Sequence, residues 1–485
     1  MCAQAATAYH VSPRGNDANS GTREKPWKTL DRAQRAALKP GDQLLFEGGK
    51  AFSGTLRLEQ RRGAPGRPVA IGSYGVGRAT LHGGDGSAVV AKGCRHLLIR
   101  DLTFAGSGRK GGNAASGLVL EGGADLAVDQ VEARGFRDSG VHVVSVNGAR
   151  LTRVHAHLNG FAGIASGSTD GRFSRDLYIG HCVAENNPGS PAVAKGHSGN
   201  GIVVGHVRGC TIEYCEAFNN GWDMPWRGNG PVGIWAWNAD RVVIQHCYAH
   251  DNKSPGHDGG GFDFDGGVTN SILQYNYSCN NVGAGYLLCQ YAGAPTWKHN
   301  IVRYNISVND GWKDHKAGIF VAPLSSKMSE AEIYHNTVYN ALGSAVAFLG
   351  TDPAPGIRFR NNIFVSAEDI ISGDPADAVF QGNCYWSLIG GPVATGGLSF
   401  AGWVARGHER AGRSVVGCYA DPLIADAGAT PTVKPEAMRL LKAYRLLSKS
   451  PCLGAGVPLR NHGGRDLWGR PIPDGRPDIG AHQRR

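Results

Sequence analysis

Residues 271–281 read SILQYNYSCNN and residues 300–310 read NIVRYNISVND, so each combines an alternating apolar run with a polar, Asn-rich end. The pattern occurs in eleven segments, which have the apolar anchors Ile99, Val128, Leu151, Ile179, Ile212, Ile244, Leu273, Val302, Ile333, Phe359 and Phe380. Successive anchors are 21 to 33 residues apart, which is the length of one coil of a β-solenoid rather than of a helical repeat. The spacing therefore predicts an all-β, single-stranded solenoid of about a dozen coils, with two earlier coils around GDQLLFEGG and RPVAIGSYG.

The composition agrees with this architecture. The 485 residues include 72 glycines and 24 prolines, which suits many short strands separated by turns, and 41% hydrophobic residues exclude a disordered chain. The longest apolar runs are strand-sized, so no membrane span is expected. Eleven cysteines without a CxxC pair indicate neither a zinc module nor a disulfide framework. A net charge of +10 favours an anionic partner, but no basic, aromatic-rich run predicts nucleic-acid binding.

A column of small side chains lies three residues after the anchors: Cys182, Cys215, Cys247, Asn276, Asn305, Asn336, Asn362 and Asn383. Stacked strands of a solenoid are about 4.8 Å apart, so such amides can hydrogen-bond from coil to coil. A metal or redox role for the cysteines is the alternative, although a buried thiol is usually a small apolar group. We expect this column to be structural.

Each coil also holds an earlier strand that begins at glycine, as in GLVLE, GVHVVS, GIASG, GIVVGH, GIWAWN, GFDFDG, GYLLCQ and GIFVAP. Strand alternation sends the first and third residues after glycine inward, and nearly all of these are apolar. The second residues form an outward column of Val119, His142, Ala165, Val203, Trp235, Asp263, Leu287 and Phe320. The fourth residues form a second outward column of Glu121, Val144, Gly167, Gly205, Trp237, Asp265, Cys289 and Ala322.

Both ends of the chain carry recognisable motifs. The opening YHVSPRGNDANSGTREKPWKTLDRAQ, with the helical stretch TLDRAQRAAL before PGDQLLFEGG, resembles the start of secreted right-handed parallel β-helix proteins of the pectate-lyase-like superfamily. The ending WGRPIPDGRPDIGAH resembles their C-terminal signature. The resemblance implies a right-handed parallel β-helix and a polysaccharide lyase, glycoside hydrolase, uronan epimerase or phage-type depolymerase. The pectate-lyase arginine motif and the NTD and GHG motifs of polygalacturonases are absent, so no catalytic residues are carried over.

We expect one domain with three parts. Residues 1–40 form an N-terminal segment with a capping helix, residues 41–400 form the parallel β-helix, and residues 401–485 form a closing segment packed on it. The residues AQAATA near the N-terminus resemble the small-residue end of a signal peptide, which predicts a secreted or periplasmic protein.

Asp263 and Asp265 are the predicted catalytic acid and base. They follow Trp235 and Trp237 in the outward columns, and a carboxylate pair beside indole rings suits chemistry on a glycan. Strand rise separates their Cα atoms by about 6.6–6.8 Å, which fits either a retaining or an inverting glycosidase. Like charges this close raise one pKa, which gives an acid and a base from identical residues. Asp258 and His257 on the preceding loop are predicted to assist.

Long loops next to the glycine strands are predicted to wall a cleft over these columns. The tryptophan pair is expected to hold sugar rings. Further substrate contacts are predicted for Trp222, Asp223, Arg227, Gln290, Tyr291, Lys313 and His315. Among them, Arg227 and Lys313 would contact acidic groups of the substrate.

Hydrolysis of a polysaccharide, which needs no cofactor, is the preferred interpretation. The alternative is proton abstraction from C5 of a uronic acid by a lyase or epimerase. The cation and the base would come from Arg227, Lys313, Lys316, His257 and His315, with calcium held by Asp258, Asp263 and Asp265. A third interpretation is a glycan-binding solenoid without catalysis, whose function would survive the loss of Asp263.

Overall fold

The structure is a computed structural model that describes residues 6–314, 316–350, 352–375 and 377–484. Contacts within the chain divide it into two compact units. The first contains Met1–Thr211 and Asn219–Gly230, and the second contains Ile212–Phe218 and Pro231–Arg485. Each unit is built of short parallel β-strands that stack coil upon coil.

The first unit contains one short helix, α1 (Leu30–Gln34), and a series of strands. The strands are β1 Ala8–Val11, β2 Gln43–Glu47, β3 Ala51–Ser53, β4 Leu56–Glu59, β5 Val69–Tyr74, β6 Ala79–Gly84, β7 Val89–Lys92, β8 Arg95–Arg100, β9 Leu102–Gly106, β10 Leu118–Glu121, β11 Ala124–Asp129, β12 Glu132–Arg134, β13 Ser139–Val144, β14 Asn147–Thr152, β15 His155–His157, β16 Ala162–Gly167, β17 Ser174–Gly180, β18 Val183–Glu185 and β19 Asn200–Glu213, whose last two residues belong to the second unit.

The second unit contains the remaining strands, an α-helix α2 (Phe400–Ala405) and a 3₁₀-helix (Pro435–Leu440). The strands are β20 Glu216–Phe218, β21 Val232–Gln245, β22 Tyr248–His250, β23 Gly260–Phe264, β24 Ile272–Gln274, β25 Tyr277–Cys279, β26 Tyr286–Gln290, β27 Trp297–Arg303, β28 Ile306–Val308, β29 Ala317–Pro323, β30 Met328–Tyr334, β31 Thr337–Asn340, β32 Ser344–Phe348, β33 Ile357–Arg360, β34 Ile363–Ser366, β35 Ile371–Ser372, β36 Val379–Gln381, β37 Cys384–Ser387, β38 Arg410–Ala411, β39 Ser414–Val415 and β40 Cys418–Tyr419.

The predicted register is confirmed within each unit. In the second unit the anchors Leu273 and Val302 pair directly in parallel strands, and Ile333, Phe359 and Phe380 continue the same stack. The anchors of the first unit pair in the same way from coil to coil. Anchor side chains are buried because every second residue of a strand faces the interior of its coil.

The predicted Asn column is a hydrogen-bonded ladder in the second unit. Asn276 Nδ2 donates to Asn305 Oδ1 at 3.1 Å, Asn305 Nδ2 donates to Asn336 Oδ1 at 3.0 Å, and Asn362 and Asn383 extend the series. Each Oδ1 also accepts a backbone N–H, as from Asn276 to Asn305 at 3.0 Å. Each buried amide thus has hydrogen-bond partners for its own polar atoms, and its oxygen also accepts a backbone N–H from the neighbouring coil.

The N-terminal and C-terminal segments differ from the core coils. The helix predicted over TLDRAQRAAL is shorter than the pattern suggests, because α1 covers five residues and ends at Gln34; it buries Leu30 and Ala33. Most residues beyond Tyr419 lie outside helices and strands, and many of their apolar side chains, including Tyr444 and Trp468, are buried in one cluster with residues of β25 and β28. No helix among the described residues is long and apolar enough to cross a membrane.

Candidate active site

Strand β23 carries the predicted catalytic residues. Asp263 lies opposite Trp235 of β21 on one side and Leu287 of β26 on the other. Its neighbours Phe262 and Phe264 are fully buried inside the coil. Because side chains alternate along a strand, Asp263 points to the outer face, as the sequence predicts.

Asp263 is buried in spite of this orientation. Only 3% of the residue is exposed, and within the described part of the chain its Oδ1 has no hydrogen-bond partner. Burial, together with the charges of Asp265 and Asp258, raises the pKa of Asp263 well above its usual range. Burial therefore favours the protonated form of this carboxyl.

Asp265 follows the end of β23 and keeps access to solvent. Its Oδ1 accepts the backbone N–H of Gly266 at 2.8 Å, and the thiol of Cys289 lies against the carboxyl. Burial and the charge of Asp258 raise the pKa of Asp265 to about 7. A carboxyl with this pKa can give or take a proton near neutral pH.

Asp258, on the loop before β23, forms an ion pair with Lys316, which immediately precedes β29. The two side chains are only 17% and 9% exposed, and Lys316 Nζ also lies 5.7 Å from the ring centre of Phe320. Lys316 is one of the basic loop residues that the elimination interpretation names, and it is not among the residues predicted to act in hydrolysis.

The Asp258 loop is held against the loop of residues 311–316. Lys313 Nζ donates to the carbonyl oxygens of Ser254 and Gly256 at 3.0 and 2.5 Å. His257 Nδ1 lies 3.2 Å from Asp314 Oδ2, with both side chains exposed. The Lys313 ammonium group, which is predicted to contact acidic sugars, therefore joins the two loops by hydrogen bonds. The exposed His257 lies on the outer side of these loops. His315, also a predicted contact, falls outside the described residues.

Gln290 is the last residue of β26, the strand next to Asp263, and Tyr291 follows it. Gln290 is fully buried, and its amide accepts Gly267 N at 3.1 Å and donates to Pro295 O at 2.8 Å, so it holds a turn rather than facing solvent. Tyr291 is 37% exposed and packs on Gly266 so closely that a Cβ there would lie 2.5 Å from its ring. Burial and the charge of Asp265 raise the pKa of Tyr291 to about 12, so it stays a neutral aromatic surface beside Asp265.

The structure places the predicted sugar-binding tryptophans in three different environments. Trp235 is buried, with 3% of its surface exposed, and Trp237 is half-buried. Trp222 is 46% exposed and belongs to the first unit, as do Asp223 and the exposed Arg227.

Within the first unit, Asp223 accepts Lys110 Nζ at 2.7 Å and also pairs with Arg109, whose Cζ lies 5.9 Å from the Trp222 ring. The carboxylate is thereby neutralised by two cations, which lower its pKa.

Calcium binding by Asp258, Asp263 and Asp265 stays a prediction. Lys316 Nζ bonds to Asp258 Oδ1, so one of the carboxylate oxygens already has a cationic partner. Across the described ranges, no group of three or more His, Cys, Asp or Glu side chains is placed to hold a metal ion.

The stacked coils and their outer carboxylates define a parallel β-helix protein with a candidate acid–base centre. Residues 9–317 match the family model for the Pel9A-like, right-handed β-helix region. The chain therefore belongs to the family of Pel9A-like right-handed β-helix proteins, and the right-handed parallel β-helix expected from the sequence is confirmed.

Solved structures share the fold at low sequence identity. Two crystal structures of the GH136 lacto-N-biosidase from Eubacterium ramulus are 18% and 17% identical, cover 81% of this chain, and have TM-scores of 0.54 and 0.53. The match spans 66% of the lacto-N-biosidase chain, slightly less than two thirds of its length. Pectate lyase Pel9A is 17% identical over 99% of this chain and 96% of its own, with a TM-score of 0.47. No curated protein matches the sequence.

Proposed function

We propose that this protein is a glycoside hydrolase that cleaves a polysaccharide or oligosaccharide, with Asp265 as general acid and Asp258 as the ionised carboxylate partner. The observation that carries the proposal is the contrast between the two groups. One has a pKa of about 7 and reaches solvent, and the other is paired with a buried lysine. Two carboxyl groups in different protonation states are what glycosidic bond cleavage needs.

Asp265 is the better acid of the two sequence-predicted residues. A general acid must reach the leaving oxygen of the glycosidic bond, and Asp265 is the partly exposed member of the pair whereas Asp263 is 3% exposed. In this proposal Asp263 remains protonated beneath the site and supports it, and Asp265 transfers the proton.

Asp258 supplies the negative charge. Its ion pair with Lys316 keeps a carboxylate next to Asp265, where it would either attack the anomeric carbon or activate a water molecule. Tyr291, exposed beside Asp265, offers the aromatic face on which a sugar ring would stack.

The test uses the full chain and a panel of neutral and acidic polysaccharides and oligosaccharides, with new reducing ends as the readout. We expect Asp265→Asn and Asp258→Asn each to lose activity by about 100-fold or more, the usual contribution of a general acid or base. Asp377→Asn, which changes an exposed aspartate in the same unit, is the matched control and should retain wild-type activity. Full activity in folded Asp265→Asn protein would refute the assignment.

Elimination is the second candidate, and one observation favours it. Lys316 is paired with Asp258 and lies close enough to Asp263 to act on its charge, and a basic group in this position could face the C5 proton of a uronic acid. Against it, Lys316 is bonded to Asp258 and only 9% exposed. A lyase would produce unsaturated, ultraviolet-absorbing ends together with each new reducing end, whereas a hydrolase would produce reducing ends alone.

A further inference from the structure

Three cysteine side chains meet where the closing segment joins the last coil of the second unit. Cys384 is the first residue of β37, Cys418 is the first residue of β40, and the two pair directly in parallel strands. The Cys384 thiol is in hydrogen-bond contact with both Cys418 and Cys452. All three belong to, or pack against, one apolar cluster, and all three are free thiols in the structure.

The strand pairing brings Cys384 and Cys418 within reach of a covalent bond. Neighbouring strands are about 4.8 Å apart, inside the range of about 4.4–6.8 Å between the Cα atoms of a disulfide. The Cys384 Sγ already points toward β40, since it lies 3.3 Å from the carbonyl oxygen of Ala420, the residue that follows β40. The side chains therefore face each other without a rearrangement of the strands.

The three thiols differ in access and reactivity. Cys384 and Cys452 are fully buried, whereas Cys418 is half-buried and can meet a reagent from solvent. The hydrogen bond from the Cys384 thiol lowers the pKa of Cys418, which favours its thiolate. Cys418 is thus the thiol that reacts first.

We propose that Cys384 and Cys418 are a redox modification site that forms a disulfide with a small disulfide reagent such as oxidised glutathione. The Cys418 thiolate attacks one sulfur of the reagent, whose S–S bond breaks and releases one glutathione thiolate. Cys384 then gives its proton to a thiolate or water and attacks Cys418 Sγ, which releases the second glutathione. Two protein thiols are oxidised, and one glutathione disulfide is reduced to two thiols.

The bond would lock the closing segment to the coil that it covers. Cys418 begins the stretch that continues into the apolar cluster around Tyr444 and Trp468, and β40 contacts the coil through β37. Without the disulfide, we expect this stretch to be the first part of the second unit to unfold locally. A covalent link at the junction would hold it against the coil. Cys452 is also adjacent to Cys384, so it competes with Cys418 as the disulfide partner of Cys384.

The experiment treats full-length protein with oxidised glutathione, alkylates the remaining thiols, and maps peptides without reduction. We expect a Cys384–Cys418 cross-linked peptide, a fall in titratable thiols from eleven to nine, and a higher Tm that dithiothreitol reverses. Cys418→Ala should abolish the cross-link and the rise in Tm. Cys452→Ala should preserve both, as should Cys210→Ala, the matched control for a buried cysteine away from this cluster.

Two outcomes would overturn the proposal. One is full alkylation of Cys384 and Cys418 after oxidation of folded protein. The other is a Cys384–Cys452 link in the wild type in place of the expected one. The Cys418→Ala variant keeps the test decisive even if Cys384→Ala fails to fold, because Cys418 is only half-buried.

Discussion

At the scale of single residues, the three aspartates differ in burial and in ion pairing, because each lies in a different environment. Asp263 is shut away from solvent, Asp265 is partly exposed with a pKa of about 7, and Asp258 is paired with a lysine. The alternation of β23 predicts that two carboxyl groups face outward, but it does not predict their burial. Burial depends on loops that arrive from other coils, whose paths no local pattern encodes.

The pKa of Asp265 leads to a prediction about pH. As the general acid, Asp265 must be protonated, and a carboxyl with a pKa of about 7 is protonated below pH 7 and ionised above it. We therefore expect kcat/KM on a glycan substrate to fall as pH rises through about 7. A pH series on the wild-type enzyme measures this, and a plateau that continues to pH 9 would contradict the role of Asp265 as acid.

The Asp258–Lys316 pair leads to a second prediction at this scale. Lys316→Met leaves a largely buried carboxylate without its partner, which we expect to lower the free energy of unfolding by about 3 kcal/mol. Adding Asp258→Asn removes that charge, so the double variant should recover part of the lost stability. Denaturant unfolding of the four proteins in this cycle measures the coupling, and strictly additive effects would argue against the ion pair.

At the scale of elements, the sequence predicts strands and their register well. The anchors and the glycine strands pair as their spacing indicates, because a one-residue slip would turn every apolar side chain outward. A second ladder of Asn252, Asn281 and Asp310 was not predicted. Its members occur in the DN, NN and ND pairs at the ends of the repeats, but only the stacked structure brings these side chains into contact.

The first Asn ladder gives a prediction for stability. Asn305→Ala removes an amide that donates to Leu273 O and Asn336 Oδ1 and accepts from Asn276, so several buried polar groups lose a partner. We expect the free energy of unfolding to fall by about 3 kcal/mol. Asn147→Ala, an exposed position at the start of β14, is the control and should change it by less than about 0.5 kcal/mol. Similar Tm values for the two variants would contradict the structural role of the ladder.

At the scale of the whole molecule, the resemblance at both ends of the chain predicts the fold, and the family match confirms it. The sequence predicts the substrate contacts less well than the fold. Residues predicted to contact it are distributed over both compact units, and two of them, Gln290 and Lys313, are used for internal hydrogen bonds. Sequence patterns identify ionisable and aromatic loop residues. They do not show which of these side chains form hydrogen bonds within the protein instead of contacting substrate.

The closing segment gives a prediction for the second unit. Trp468 is 8% exposed, donates its indole N–H to Leu441 O, and packs edge-on against His482 at a ring distance of 4.9 Å. We expect Trp468→Ala to lower the free energy of unfolding by about 3–5 kcal/mol and to expose apolar surface. Thermal melting and dye binding check this. An unchanged Tm would mean that the segment does not stabilise the coils.

The proposed reaction adds a water molecule across a glycosidic bond at Asp258 and Asp265. The most direct measurement is mass spectrometry of the early products formed in ¹⁸O-labelled water from the substrate that the panel identifies. Hydrolysis predicts one ¹⁸O atom, a gain of about 2 Da, in one of the two fragments formed at each cleavage. Products without label, of which one carries an unsaturated end and is lighter by one water, would contradict hydrolysis and establish elimination.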